Sequence, residues 1–119
     1  MTILYSFLSR DEDIYITHSA NEILNHYGEA HQRSKLAEEC AEFAAARVKN
    51  ALDPSAEHEA RETEELADVI VLIEQRISAL KPPEARKLAM QVMSKIDRTL
   101  RQISREREAQ AARDIEHGC

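Results

Sequence analysis

Residues 29–52 read EAHQRSKLAEECAEFAAARVKNAL, and residues 64–73 read EELADVIVLI. The first stretch holds no glycine or proline and is dense in alanine and straight-chain residues, which lose least freedom in a helix. It predicts a helix from about Glu29 to Leu52, with Leu36, Cys40, Phe43 and Ala44 as the buried stripe and Arg47 next at the same spacing. Asp53-Pro54-Ser55 breaks the pattern, with Asp53 as a cap and Pro54 at the first helical position. The second stretch begins the inward face of a third helix: Leu66, Val69, Ile70, Ile73, Ile77 and Leu80. Lys81-Pro82-Pro83 ends it, because a residue before proline is pushed out of the helical region.

Working outward, Ala20, Ile23, Leu24 and Tyr27 recur at helical spacing after Thr17, a candidate N-cap, and Gly28 supplies a stop. Residues 1–17 show no period and are expected to be irregular. A fourth helix is expected from near Pro83, with Leu88, Val92, Ile96, Leu100 and Ile103 on one face. Beyond Arg105 charges alternate with alanines, so residues 106–119 read as a solvated charged tail. The reading is a single all-α domain over 1–119, a helical bundle of four to five helices.

Aromatic residues make up only 4% of the 119 residues, and alanines inflate the hydrophobic fraction of 43%, so the core is thin. Long helices with thin cores commonly complete their burial against another copy, so a homodimer or homotetramer is expected. A formal net charge of −6 argues against nucleic acid, whose phosphates need basic patches. Cys40 and Cys119 match no metal-ligand spacing and read as free thiols. The apolar patch in MTILYSFLSRDED is too short for a signal peptide, and nothing approaches the roughly 20 apolar residues of a membrane span. A soluble, cytoplasmic protein is expected.

The chemistry lies in the acids. Glu39 and Glu42 are three apart, as are Glu65 and Asp68, so each pair shares a helix face. At 100° per residue, Glu39 falls about 40° from Phe43 and Glu65 about 20° from Leu72, beside the apolar stripes rather than opposite them. Carboxylates on a buried edge repel one another and resist desolvation, so a cation is needed there. Oxygen ligands from two facing helices suit a hard divalent ion, magnesium foremost, with manganese as a substitute. A di-iron bundle requires Glu-x-x-His pairs, and none of the five histidines follows a glutamate by three residues.

The motif EExxE, a spacer, then ExxD resembles the MazG-like branch of the all-α nucleotide pyrophosphohydrolases. The resemblance covers about Tyr27 to Arg101 and is carried by YGEAHQRSKLAEECAEF, by EELADVIVLI and, more loosely, by KIDRTLR. It implies Glu39, Glu42, Glu65 and Asp68 as metal ligands, and release of pyrophosphate from a nucleoside triphosphate to leave a monophosphate. It also implies dimers or tetramers. A phosphoribosyl-ATP pyrophosphohydrolase on the same fold, or a non-enzymatic helical interaction module, are the alternatives.

Around the acids, Glu38 is a candidate general base or outer-shell group, or else a plain surface glutamate. Lys95 and Arg98 on the fourth helix are candidate phosphate ligands, or solvated charges. Lys35 and Gln32 continue the line of Glu39 one and two turns earlier and, with His31, are candidates to touch the nucleoside. Lys35 equally suits a salt bridge to Glu39. With no tryptophan in the chain, stacking on a base falls to Tyr27 or a histidine.

Overall fold

The computed structural model describes residues 2–118, which are helical apart from short connections, with no strand among them. A 3-10 turn at Tyr5–Phe7 precedes four helices: α1 (Arg10–Tyr27), α2 (Glu29–Leu52), α3 (Ala56–Ser78) and α4 (Pro82–His117). The chain forms two compact units, Met1–Leu80 and Lys81–Cys119.

In the first unit α1 begins at Arg10, well before Thr17, so the expectation of an irregular segment is corrected over residues 10–17. The cause is a capping box: the Ser9 hydroxyl accepts the Glu12 N–H at 3.2 Å, and the Glu12 carboxylate accepts the Ser9 N–H at 2.8 Å. Asp11, Glu12 and Asp13 fill the first turn, where the helix dipole favours negative charge. The residues before it are tied down too. The Thr2 N–H donates to Asp13 Oδ1 at 2.7 Å, and the Ile3 N–H donates to the Glu74 carboxylate on α3. α1 ends at Gly28, whose φ of +88° lets the chain turn straight into α2.

Helices α2 and α3 form an antiparallel hairpin. Asn50 Nδ2 donates to Glu59 at 2.6 Å near the connection, and Arg47 pairs with Glu62 at 3.2 Å. Towards the open end Gln32 Nε2 donates to Gln75 Oε1 at 2.8 Å, and Arg76 lies 3.6 Å from Glu29. Ser55, not Asp53, caps α3, its hydroxyl accepting the His58 N–H at 3.0 Å. Asp53 instead closes α2, its N–H donating to the Lys49 carbonyl, and its own carbonyl lies 2.6 Å from His58 Nδ1.

The seam of this hairpin is more polar than the apolar stripes predict. On α2 the buried residues are Gln32, Glu39, Ala46 and Asn50, while Leu36 and Phe43 are half-buried and Cys40 and Ala44 are exposed. On α3 they are Glu65, Val69, Leu72, Glu74 and Gln75, while Leu66 and Ile77 are exposed and Ile70, Ile73 and Leu80 are half-buried. Each helix is rotated relative to expectation, so polar side chains that pair across the seam take places predicted for aliphatic ones. The buried apolar residues described are Ala20, Ala46, Val69 and Leu72, a small core.

The second unit is α4, a single helix of 36 residues with Pro82 in its first turn, where a missing N–H costs nothing. It continues through residues 106–117 without a break, so that part of the charged tail is helical, while Cys119 lies outside the described residues. Leu88, Val92, Ile96 and Leu100 are exposed and Ile103 is half-buried. No described helix is long and apolar enough to cross a membrane.

Candidate metal centre

Antiparallel packing brings the middle of α2 against the first half of α3, and this is where the acids meet. Carboxylate oxygens of Glu39, Glu42 and Glu65 all lie within 4.8 Å of one another. Glu39 and Glu65 are 8% and 3% exposed, whereas Glu42 opens to solvent. The cluster therefore has two buried walls and one wet side.

Each buried acid is half satisfied. Lys35 Nζ approaches one oxygen of Glu39 at 3.2 Å, and Arg61 Nη2 approaches one oxygen of Glu65 at 2.5 Å. The other oxygen of each, Oε2, is buried with no hydrogen-bond partner. Buried acceptors are almost always paired, and an unpaired one costs on the order of 1–3 kcal/mol, more when charged. The two acids with orphaned acceptors and the third carboxylate beside them make a cluster of negative potential that no donor among the described residues fully satisfies. A hard divalent cation fits it, since carboxylate oxygens are its preferred ligands. The three glutamates can thus hold a divalent metal ion.

The electrostatics agree. The Glu42 carboxyl is pushed above its ordinary range, chiefly by the charge of Glu39, then by desolvation and the charge of Glu65, with Lys35 opposing. A cation would remove that repulsion and favour the ionised form of Glu42. The Lys35 ammonium is pushed upward, first by its hydrogen bond to Glu39, then by the charges of Glu39 and Glu38.

The remaining candidates are distributed unevenly. Asp68 is exposed and is not among the three clustered acids, although it lies one turn beyond Glu65. Glu38 is exposed and bonded to Lys35 at 3.5 Å. Lys35 makes the salt bridge to Glu39 that its spacing allowed. Gln32 is buried in the seam, bonded to Gln75 on one side and 2.7 Å from His31 Nδ1 on the other. His31 stacks on Tyr27, with ring centroids 5.1 Å apart and planes 16° from parallel. Lys95 and Arg98 are exposed on α4, in the second unit.

Arg61 and Gln75 were not singled out in the sequence. Arg61 stands four residues before Glu65, a helical ion-pair spacing identical to that of Lys35 and Glu39, and that was the available signal. Nothing in the pattern marked Gln75, which is 1% exposed. Comparison of the chain with protein-family models, curated proteins and solved structures returned no match.

Proposed function

We propose that the chain is a magnesium-dependent nucleoside triphosphate pyrophosphohydrolase of the MazG-like kind, working in the cytoplasm as a homodimer or homotetramer. The observation that carries this reading is the pair of orphaned buried oxygens, Glu39 Oε2 and Glu65 Oε2, on acids that cluster with a third carboxylate across antiparallel helices. The EExxE and ExxD motifs lie on those two helices, and the resemblance they carry supplies the reaction.

In this reading Glu39, Glu42 and Glu65 hold the cation, and Asp68 joins them from the next turn of α3. Bound magnesium supplies Lewis acidity, neutralising charge that builds on the phosphoryl oxygens and making water more acidic. Glu38, wet and beside the cluster, accepts the proton of the attacking water. The water oxygen bonds to phosphorus, the bond to the oxygen bridging the α- and β-phosphates breaks, and pyrophosphate leaves with a nucleoside monophosphate remaining. Gln32, Lys35 and His31 lie on one side of the acids along α2, with Tyr27 at the end of α1 stacked on His31, and a sugar and base are accommodated there.

The test is pyrophosphate release from a panel of ribo- and deoxyribonucleoside triphosphates, and from phosphoribosyl-ATP, with magnesium and then with chelator. Metal-dependent release from one or more of them supports the reading. No release, by folded protein that binds magnesium, refutes it. The second reading, a helical interaction module, draws on the exposed apolar line of Leu88, Val92, Ile96 and Leu100. It predicts that Glu39→Ala leaves function intact.

A further inference from the structure

Arg61 is joined to the cluster in a way that suits departure. Its Nη2 lies 2.5 Å from Glu65 and its Nη1 3.4 Å from Glu64, yet its side chain is 61% exposed while that of Glu65 is 4% exposed. A buried acid is thus neutralised by a long, solvent-facing cation whose two ion pairs are both to its own helix. Guanidinium groups present flat forks of donors that match phosphate oxygens.

Its position along the hairpin is informative as well. Lys35 precedes Glu39 on α2, and Arg61 precedes Glu65 on α3 by the same four residues. Because the helices run antiparallel, the two basic side chains flank the acids from opposite ends. Lys35 stands on the side of His31 and Tyr27, towards the open end where Glu29 meets Arg76. Arg61 stands towards the connection, where Asn50 meets Glu59. An elongated polyphosphate centred on the acids, with its nucleoside beside His31 and Tyr27, extends its terminal phosphates towards Arg61.

We propose that Arg61 is a displaceable counter-ion of the metal centre: in the cation-free protein it neutralises Glu65, and when a divalent cation takes that carboxylate it turns to grip the pyrophosphate end of the substrate. The assignment rests on the metal centre and deepens the triphosphate reading by fixing which end of the substrate lies where. Arg61 thereby couples loading of the metal to binding of the leaving group, since its guanidinium is released only when Glu65 acquires another partner.

Calorimetric titration tests this on the whole protein without turnover, with magnesium alone and then, at saturating magnesium, with inorganic pyrophosphate or a nucleoside monophosphate. Arg61→Gln is expected to bind magnesium several-fold more tightly, because a competitor for Glu65 is gone. It should bind pyrophosphate about ten- to a hundredfold more weakly, the loss of a charge-assisted contact, with monophosphate affinity unchanged. Arg61→Lys should recover part of the pyrophosphate affinity. Arg10→Gln removes the same charge from the first turn of α1, whose Asp13 is tied through Thr2 and Ile3 to Glu74, about 20 Å along α3 from Arg61, and should change none of these values by more than about twofold. Equal weakening of pyrophosphate and monophosphate, an effect of Arg10→Gln as large as that of Arg61→Gln, or unchanged pyrophosphate affinity in Arg61→Gln would each overturn the assignment. So would a wild-type protein that binds magnesium and no pyrophosphate. A wild-type protein that releases no pyrophosphate from any nucleotide, yet binds it through Arg61, would refute the hydrolase reading while leaving this inference standing.

Discussion

Replacing Glu65 by glutamine should make the metal-free protein more stable and the metal-loaded protein less so. Glu39 and Glu65 present carboxylate oxygens within 4.8 Å of each other. Two unit charges at that separation, at an effective dielectric constant of about 20, repel by about 3.5 kcal/mol. Glu65→Gln removes this repulsion and puts an amide donor among bare acceptors. It also reduces the Arg61 contact from ionic to neutral, a loss of about 1 kcal/mol for a guanidinium that is largely in water. The net gain is about 2 kcal/mol, roughly 10 °C in melting temperature for a unit of this size. Wild type in magnesium at a hundred times its dissociation constant should gain about 2.7 kcal/mol, whereas the variant should gain almost nothing. Thermal unfolding at pH 8, in chelator and in magnesium, should therefore show the order of stability reversing. A variant less stable than wild type in chelator, with an undiminished response to magnesium, would refute both the repulsion and the ligand role.

Titration of Glu42 gives a second expectation. Its carboxyl is pushed above the ordinary glutamate range in the folded, metal-free protein, so the folded state takes up a proton before the unfolded state does. Metal-free stability should rise as pH falls through that raised value and level off at the ordinary glutamate value, and denaturant unfolding across pH should show the rise vanish in Glu42→Gln. Glu12 behaves oppositely: hydrogen bonding from Ser9, first its backbone N–H, lowers its carboxyl, so its contribution is complete above the ordinary range and lost as pH falls through the lowered value. Ser9→Ala should cost about 1 kcal/mol in urea unfolding by removing a cap. Gln75→Leu leaves the Gln32 amide without its partner in the seam and should destabilise by about 1–3 kcal/mol, measured the same way.

The four helices were legible because composition, proline positions and Gly28 all mark them locally. Glu39, Glu42 and Glu65 were legible as a group because three-residue spacing and proximity to aliphatic residues require only helical geometry. The rotation of α2 and α3 was not. Aliphatic positions serve as a compass for a helix's buried face, and here the seam is held by Gln32 with Gln75 and by Asn50 with Glu59, pairs that exist only once both helices are in place. The same rotation leaves Cys40 and Leu66 exposed, and Asp68 with them. The start of α1 was readable and overlooked: Ser9 followed three residues later by Glu12 spells a capping box, but the apolar period that usually confirms one is weak there.

The three clustered acids belong to one hairpin, joined by a connection of three residues between Leu52 and Ala56. Closing so short a loop sacrifices little chain entropy, and contacts between sequence neighbours form early and fast. Like charges must therefore be pressed together at the first encounter of α2 with α3, before any distant part of the chain can contribute. Divalent cations present during that encounter would lower its barrier, so the refolding rate should climb with magnesium while the chain is still assembling. An ion held by these acids would then be a nucleating agent as much as a ligand of the finished fold.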